Sequence, residues 1–254
     1  MSIPKIKFLN SYVDDDGTGE IRLLMDDKHV KYVSIEADLY RDYELDGDRY
    51  RPSVVEQLPP LVSGNWNEGR ISSDPATGQP RFSKASKVTL RSIKTTWHPT
   101  RISHLDLQMG QELYINTFEA TCPQFDFPVM VKFAPLAWEM IYLEHETTAY
   151  SWLRDSDVGL TFLGHLTEGR RVIGFITTRE TGCRPATVGD YAACRSALSK
   201  LHALGIRHGD ISKRTFRIRD GQATLVGFEY AEKVGHDTEK LEREMGNLLW
   251  VLEK

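Results

Sequence analysis

The first part of the chain alternates between apolar and polar positions, which is the pattern of half-buried β-strands. Residues 5–13 and 20–25 alternate in this way, and the turn-rich stretch DDDGTG separates them, so they predict a β-hairpin. Residues 30–37 continue the alternation and predict a third strand. The chain therefore begins with β structure.

The stretch after these strands is rich in Pro, Gly, Ser, Asn and Asp. Such residues favour turns and loops, so residues 67–86 predict a long loop or a partly disordered linker. A domain boundary is predicted near Ser86, which makes residues 1–86 a β-rich N-terminal region with its linker. A separate domain and a region that packs against the next one both fit this pattern.

The middle of the chain combines a short apolar strand with a helical pattern. In residues 127–134, alternation places Met130, Lys132 and Ala134 on one face of the strand. In residues 136–153, apolar residues recur at helical spacing, and Glu146 falls on the same stripe, three residues after Leu143. A carboxylate that faces the core requires a cation, and Lys132 is a lysine on an apolar strand that requires a partner or a route to water.

The last part of the chain predicts two helices around a loop and a hairpin. Thr187 and Asp190 have the spacing of a capping box, so a helix is predicted to begin there and to end near Gly205. The loop His208-Gly209-Asp210 follows, and then come two short strands with a turn at Asp220-Gly221. A final helix is predicted to begin at residues 236–238.

Composition narrows the class of protein. The chain has 254 residues, 40% hydrophobic and 27% charged, as in an ordinary soluble globular protein. A net charge of -4 and a pI of about 6.1 give no general attraction to nucleic acid or to an anionic membrane, so neither is expected as a partner. The three cysteines have no metal-ligand spacing and, with no signal peptide or membrane-spanning run visible, favour a cytoplasmic location.

Residues 201–229 resemble the catalytic segment of protein-kinase-like proteins, in which a helix ends before H-[RG]-D and a hairpin leads to D-F-G. The segment also resembles a group of fungal proteins with a small kinase-like domain and an HGD…DFE pattern, and this chain looks like a degenerate member of that group. The resemblance covers roughly residues 100–254. It implies an α+β, protein-kinase-like two-lobe fold with an N-lobe and hinge at 87–182, a trimmed C-lobe at 183–254, and the additional β-rich N-terminal region.

The same resemblance implies roles for individual residues. It pairs Lys132 with Glu146, with Glu144 as the alternative partner, and makes Asp210 the acid or base that acts with them. A purely architectural ion pair and a loop-capping Asp210 are the structural alternatives. Ligand-binding roles are implied for five further residues: Met130, His208, Lys213, Thr215 and Glu229. Of these, His208 is favoured as a packing residue, Lys213 fits a substrate anion or a solvated surface equally, and Met130 stands where a small residue covers the adenine.

Two positions depart from the family pattern at the expected metal site. Thr215 stands where the family has Asn, and Gly227 stands where it has the metal-binding Asp. The sequence therefore predicts a protein without a metal site or cofactor that has lost Mg-ATP phosphotransfer. It is expected to bind, or to transform by acid–base catalysis, a small organic molecule in the cleft between the lobes. A non-catalytic pseudokinase that acts as a binding or scaffold protein is the alternative, and a protein partner would accompany it. A residual small-molecule kinase, which would need ATP and Mg²⁺ held by Asp210 and Glu229, is the third.

Overall fold

A computed structural model describes residues 5–40, 45–46, 49–134, 138–235 and 237–254. The chain divides into two compact units, Met1–Thr89 and Leu90–Lys254, with the division three residues beyond Ser86. Each unit has its own cluster of buried apolar side chains.

The first unit contains a five-stranded sheet. Its strands are β1 (Ile6–Val13), β2 (Gly19–Met25), β3 (His29–Ile35), β6 (Glu68–Ser73) and β7 (Pro80–Ser86). They follow one another in the order β1-β2-β3-β6-β7, and only the β3–β6 pair is parallel among them. The short elements β4 (Leu45–Asp46), β5 (Arg49–Tyr50) and α1 (Val54–Gln57) lie between β3 and β6. The predicted hairpin and third strand are confirmed.

The prediction of a loop or linker at residues 67–86 is wrong, because β6 and β7 form an antiparallel hairpin there. The carboxylate of Asp74 accepts hydrogen bonds from the N–H groups of Ala76 and Thr77 and so stabilises the turn. Ile71 is fully buried, and the rings of Phe82 and Trp66 lie 5.8 Å apart. Two well-placed apolar side chains thus outweigh a composition that is typical of loops.

The second unit is built on a six-stranded sheet. Its strands are β8 (Arg101–Ser103), β9 (Gln108–Tyr114), β10 (Thr117–Thr121), β11 (Val129–Phe133), β12 (Phe162–Glu168) and β13 (Arg171–Thr178). The order is β8-β12-β13-β11-β10-β9, with β8 parallel to β12 and the other pairs antiparallel. Strand β11, which carries Lys132, therefore lies inside the sheet between β10 and β13.

Three helices and five short strands complete the second unit. They are α2 (Met140–Trp152), β14 (Arg184–Pro185), α3 (Tyr191–Ala203), β15 (Ile206–Arg207), β16 (Phe216–Arg219), β17 (Gln222–Leu225), β18 (Glu232–Lys233) and α4 (Thr238–Glu253). The predicted capping box of Thr187 and Asp190 is confirmed, and it closes a 3₁₀ turn that leads directly into α3. Asp237 caps α4, whereas residues 135–137 and His236, where the helix starts were also predicted, lie outside the described residues.

The expected α+β, kinase-like two-lobe fold is wrong. The protein is mostly β: 37% of the described residues are strand and 22% helix, arranged in several sheets with four α-helices. The physical reason is how the two-residue alternation of strands and the 3.6-residue period of helices are distributed along the chain. Alternating residues form hairpins in both units, whereas the 3.6-residue apolar period is confined to the segments that became α2, α3 and α4. Within the described ranges, no helix combines the length and the apolar character that crossing a membrane requires.

Candidate functional site

Lys132 is the centre of a charged cluster in the second unit. Its ammonium Nζ lies 2.7 Å from Oε2 of Glu146 on α2 and forms a second ion pair with Glu229, which follows β17. The predicted pair of Lys132 and Glu146 is therefore confirmed as a contact, and Glu229 is its third member. We call these three residues the Lys132 cluster.

The cluster is closed on one side and open on the other. The Glu146 side chain is 3% exposed, whereas Lys132 is 18% and Glu229 is 24% exposed. The alternation of β11 explains the position of Lys132, because Val129 and Val131 turn to the opposite face and are fully buried. A small molecule in solvent can therefore reach Lys132 and Glu229 but not Glu146.

Glu146 is held deep in the core by α2. Its Oε1 accepts a hydrogen bond of 3.3 Å from the backbone N–H of Phe228, a fully buried residue whose ring packs against Tyr150 and His208. Burial disfavours the carboxylate and raises the pKa of Glu146 to about 7; Lys132 opposes this shift and repulsion by Glu229 adds to it. One lysine is thus shared by two carboxylates, and the pKa that is raised is that of the buried carboxylate, Glu146.

The other two members of the cluster have shifts of opposite sign. Burial disfavours the ammonium of Lys132, but attraction by Glu146 and Glu229 outweighs burial and raises its pKa. Burial also opposes ionisation of Glu229, but the ion pair with Lys132 lowers the pKa of Glu229 below its ordinary value. At neutral pH the cluster therefore contains a firmly charged lysine and a firmly charged outer carboxylate.

His208 anchors the loop that carries Asp210. Its Nε2 donates a hydrogen bond of 3.1 Å to the carbonyl of Val226, and its Nδ1 accepts one of 3.4 Å from the N–H of Asp210. Burial lowers the pKa of His208, so the ring is neutral with both nitrogens engaged. These contacts give His208 the packing and hydrogen-bonding position that the sequence favoured.

Glu244 on α4 fixes the same loop from the other side. Its carboxylate is buried and accepts hydrogen bonds from the backbone N–H groups of His208, at 3.0 Å, and Gly209, at 2.7 Å, and from His202 at 2.8 Å. Burial opposes its ionisation, but these donors prevail and lower the pKa of Glu244. Gly209 has a φ of 86°, and a Cβ there would overlap the carbonyl of Tyr230, so only glycine fits this crossing.

Asp210 leaves this loop with a free side chain. Its backbone N–H is bound to His208, while its carboxylate is exposed and forms no ion pair or hydrogen bond with another described residue. The loop containing Asp210 passes directly beside the segment of Glu229 and Tyr230, because Gly209 is in contact with the carbonyl of Tyr230. The chain thus brings Asp210 and the Lys132 cluster into one neighbourhood, but not into contact.

The remaining predicted ligand-binding residues occupy different positions. Met130 is half-buried on the face of β11 that carries Lys132. The hydroxyl of Thr215 donates to the carbonyl of Ser212 and accepts from the N–H of the same residue, so it is committed to its own turn. Lys213 lies in that turn, and its carbonyl accepts from the N–H of Ala186. The hydroxyl of Thr215 is therefore engaged in its own turn, whereas Met130 shares a strand face with Lys132.

The donor set around Glu229 does not fit a magnesium site. A hard cation takes several oxygen ligands, but Glu229 is engaged with Lys132, Thr215 with Ser212, and Gly227 has no side chain. In the part of the chain that the structure describes, no group of three or more His, Cys, Asp and Glu side chains is placed to hold a metal ion.

Sequence reasoning missed Glu244, and the signal for it was present. Glu244 lies three residues after Leu241 and four before Leu248, on the apolar stripe of the last helix. Like Glu146 on α2, Glu244 is a carboxylate on an apolar stripe, and this position predicts a core residue that needs donors. Its partners, the backbone N–H groups of His208 and Gly209, have no side-chain pattern and are not visible in the sequence.

Comparisons with known proteins add no family to this geometry. No protein-family model matches the chain, and no curated protein matches its sequence.

Proposed function

We propose that the second unit, Leu90–Lys254, binds a small organic molecule at the Lys132 cluster and does not carry out ordinary Mg-ATP phosphotransfer. A single observation carries the proposal. On the buried side of the cluster Glu146 fixes Lys132, while on the solvent side its partner Glu229 is an accessible side chain with three rotatable bonds. Burial fixes the contact of Lys132 with Glu146, whereas a ligand can replace its contact with Glu229.

The exchangeable partner of Lys132 indicates what the molecule brings. Glu146 is buried and Glu229 is accessible, so an incoming group replaces the carboxylate of Glu229 and must offer an acceptor to the ammonium of Lys132. An acidic or strongly accepting group on the ligand takes the place of Glu229 on Lys132 and releases Glu229 to water. Replacement of one ion pair by another costs little, because neither charge is left unpaired in a poorly solvated site.

Asp210 supports an acid–base step on the bound molecule. Its carboxylate is exposed and unpartnered within the described residues, while its backbone is held by His208 and, through the loop, by Glu244. A fixed carboxylate with a free acceptor is the arrangement that general-base catalysis needs. In this proposal Lys132 holds the ligand, and Asp210 exchanges a proton with it.

A non-catalytic binding or scaffold protein is the second candidate, and one observation favours it. The exposed rings of Tyr142 on α2 and Tyr230 lie 6.3 Å apart, and the exposed Ile141 directly precedes Tyr142 in the chain. Aromatic side chains of this kind are enriched in protein interfaces. A residual small-molecule kinase is the third candidate, and it requires metal binding at a site whose donors are otherwise engaged.

The test is thermal unfolding of the full chain with three small acids, succinate, citrate and glucose 6-phosphate, and with ATP in the presence and absence of Mg²⁺. A ligand at about a hundred times its dissociation constant stabilises the fold by roughly 2.7 kcal/mol. We expect a shift with at least one of the small acids, and a larger shift in Glu229→Gln, because the glutamine competes less well for Lys132. Glu242→Gln, an exposed position, is the matched control and should behave as the wild type.

Each other outcome selects a different candidate. A shift with ATP that requires Mg²⁺ contradicts the proposal and favours the residual kinase. No shift with any of these compounds favours the scaffold, for which Tyr142→Ser and Tyr230→Ser should weaken partner binding.

The cytoplasm is the compartment we propose, supported by three cysteines that are all unpaired.

A further inference from the structure

A cavity of about 280 Å³ lies beside Asp210, away from Lys132. One wall is the loop from Arg207 to Ile211. The other is a single face of α4, because its lining residues recur at helical spacing: Lys240, Arg243, Glu244, Asn247, Trp250 and Val251. The cavity shares Asp210 with the proposed site but contains none of the three residues of the Lys132 cluster.

The cations that line the cavity are already neutralised. Arg207 and Lys240 both bind Glu232, at 2.8 and 3.2 Å, and Arg207 also lies 3.8 Å from Oε1 of Glu244. Arg243 binds Glu239 at 2.6 Å. An anion that enters the cavity would have to compete with these carboxylates. The lining therefore offers no cation that lacks a partner among the described residues.

The two carboxylates of the lining differ. Glu244 is buried and accepts hydrogen bonds from two backbone N–H groups and His202. Asp210 is exposed, and no described residue pairs with its carboxylate. The group that the cavity lacks is therefore a positive charge or a hydrogen-bond donor opposite Asp210.

Trp250 adds an aromatic face. Its ring is exposed at the cavity, and the ammonium of Lys254 lies 3.3 Å from the ring centroid. An ammonium over an indole is attracted by the negative face of the ring, and apolar groups pack on the same surface. The ring thus already holds an amine supplied by the chain itself.

We propose that this cavity binds a small organic amine, whose ammonium pairs with the carboxylate of Asp210 and whose apolar body packs on Trp250. The inference goes beyond the function proposed for the Lys132 cluster and does not require it. It assigns an amine because the unpaired charge of the lining is negative, and an apolar body because the exposed ring of Trp250 offers an apolar surface. The volume is near the lower end of the range for small-molecule sites, which suits a ligand with one ring or a short chain.

The experiment uses three probes: phenethylamine, butylamine and 3-phenylpropionate, the last with the same aromatic body as the first but the opposite charge. Each is titrated into the full chain, and the indole N–H signal of Trp250, assigned with Trp250→Phe, is followed by NMR. We expect saturable shifts with phenethylamine, weaker ones with butylamine, and none with 3-phenylpropionate. In Asp210→Asn the apparent Kd for phenethylamine should rise by about tenfold or more.

Asp220→Asn is the matched control, since it makes the same chemical change at an exposed turn and should leave the Kd unaltered. Thermal unfolding of both variants checks that the fold is intact. Three outcomes overturn the proposal: no shift with either amine up to about 10 mM, an equal response to 3-phenylpropionate, or an unchanged Kd in Asp210→Asn. A failure here leaves the response of the Lys132 cluster to small acids unaffected, so the two proposals fail separately.

Discussion

Each unit of the protein contains one poorly exposed lysine on a strand, and the two lysines are satisfied in different ways. Lys31, on β3, is 9% exposed; its ammonium donates to the carbonyl of Trp66 at 2.8 Å and lies 3.7 Å from the Trp66 ring centroid. Lys132, on β11, binds the two carboxylates of Glu146 and Glu229. Burial, with repulsion by Lys87, lowers the pKa of Lys31, whereas the two carboxylates outweigh burial and raise that of Lys132.

This difference distinguishes Lys31, a lysine with a structural role, from Lys132, a lysine at a candidate functional site. Neutral carbonyls and an aromatic ring are the described partners of Lys31, so among these residues its replacement by an apolar side chain leaves no unpaired ion behind. Lys132 neutralises a carboxylate that the core cannot solvate, and a second carboxylate competes for it at the surface. A lysine with excess negative charge around it, open on one side, has partners that a ligand can exchange.

The largest expected effect comes from replacement of each lysine by methionine. Lys132→Met removes the cation that lowers the pKa of Glu146, so at pH 8 the folded protein must hold Glu146 either as an unpaired buried carboxylate or in a protonated form that this pH disfavours. Either form should lower the free energy of unfolding by about 3–5 kcal/mol. Lys31→Met loses a hydrogen bond and a cation–π contact, which should cost about 1–2 kcal/mol. Urea denaturation of the full chain measures both values.

The pH dependence of this experiment is its control. At pH 5 the loss in Lys132→Met should shrink, because Glu146 without Lys132 takes up a proton and is no longer charged. The loss in Lys31→Met should stay the same at both values. Equal losses for the two variants at pH 8 would remove the distinction between the two lysines.

The sequence predicted Lys132 but not Lys31, and the reason is physical. Glu146 lies on an apolar stripe, and a carboxylate in that position predicts a nearby cation, for which the lysine on the apolar strand is the candidate. The acceptors of Lys31 are backbone carbonyls, which every residue has. The strands of β1 to β3 were predictable from alternation, whereas the β6–β7 hairpin and the mostly β architecture depended on pairings between distant residues that composition does not encode.

The same limit applies to the site. Glu229 was placed near the metal region because it lies two residues beyond Gly227 on an extended chain, but its contact with Lys132 was not predicted. That contact depends on how the segment after β17 crosses β11, which is a tertiary property. Local spacing therefore found the residues of the cluster, and only the fold showed that they neutralise one another.

The second prediction concerns Glu146 and the pH range in which it titrates. Its folded-state pKa of about 7 lies above the ordinary value of 4.5, so the folded protein binds this proton more tightly than the unfolded chain. The stability that protonation of Glu146 provides is complete below pH 4.5 and is lost as the pH rises through 7. Relative to Glu146→Gln, the wild type should therefore lose about 1–3 kcal/mol over this range.

Urea denaturation of wild type and Glu146→Gln at half-unit steps of pH tests this sign. Glu144→Gln is a suitable comparison, because hydrogen bonds from Thr95 and Lys94 lower the pKa of Glu144 despite its burial. Its contribution should be lost only as the pH falls below 4.5, the opposite direction. A wild-type curve parallel to that of Glu146→Gln would show that Glu146 is ionised throughout.

The third prediction is a direct titration of the two lysines. The Cε–Hε NMR signals of Lys31 and Lys132 should move at different pH, below the ordinary value of 10.5 for Lys31 and above it for Lys132. The lysine-to-methionine variants assign the signals. The stability contributed by Lys132 is complete below pH 10.5 and is lost as the pH rises through its higher folded-state pKa. The destabilisation by charged Lys31 has already disappeared by pH 10.5, because its folded-state pKa is lower. Reversal of the two midpoints would contradict the contrast between neutral and charged partners.

The smallest expected effect tests whether another carboxylate changes the character of the Lys132 cluster. Gly227 has a φ of 78°, and a Cβ there would lie 3.4 Å from Oε2 of Glu229 and 3.7 Å from Cγ2 of Thr215, which is ordinary contact. Asn and Asp tolerate this conformation better than other side chains, so Gly227→Asn and Gly227→Asp should each cost about 1 kcal/mol. The two variants are isosteric and differ only in charge.

Mg²⁺ should separate these variants. Gly227→Asp adds a third carboxylate to the two that already share Lys132, and it lies beside Glu229, so an oxygen ligand that Lys132 does not neutralise becomes available to a hard cation. Thermal unfolding with Mg²⁺ should therefore stabilise Gly227→Asp and leave the wild type and Gly227→Asn unchanged. Stabilisation of the wild type by Mg²⁺ would mean that Glu229 leaves Lys132 to bind a metal. Glu229 would then be a cation ligand, and the proposed exchange of Glu229 for an acidic ligand would be contradicted.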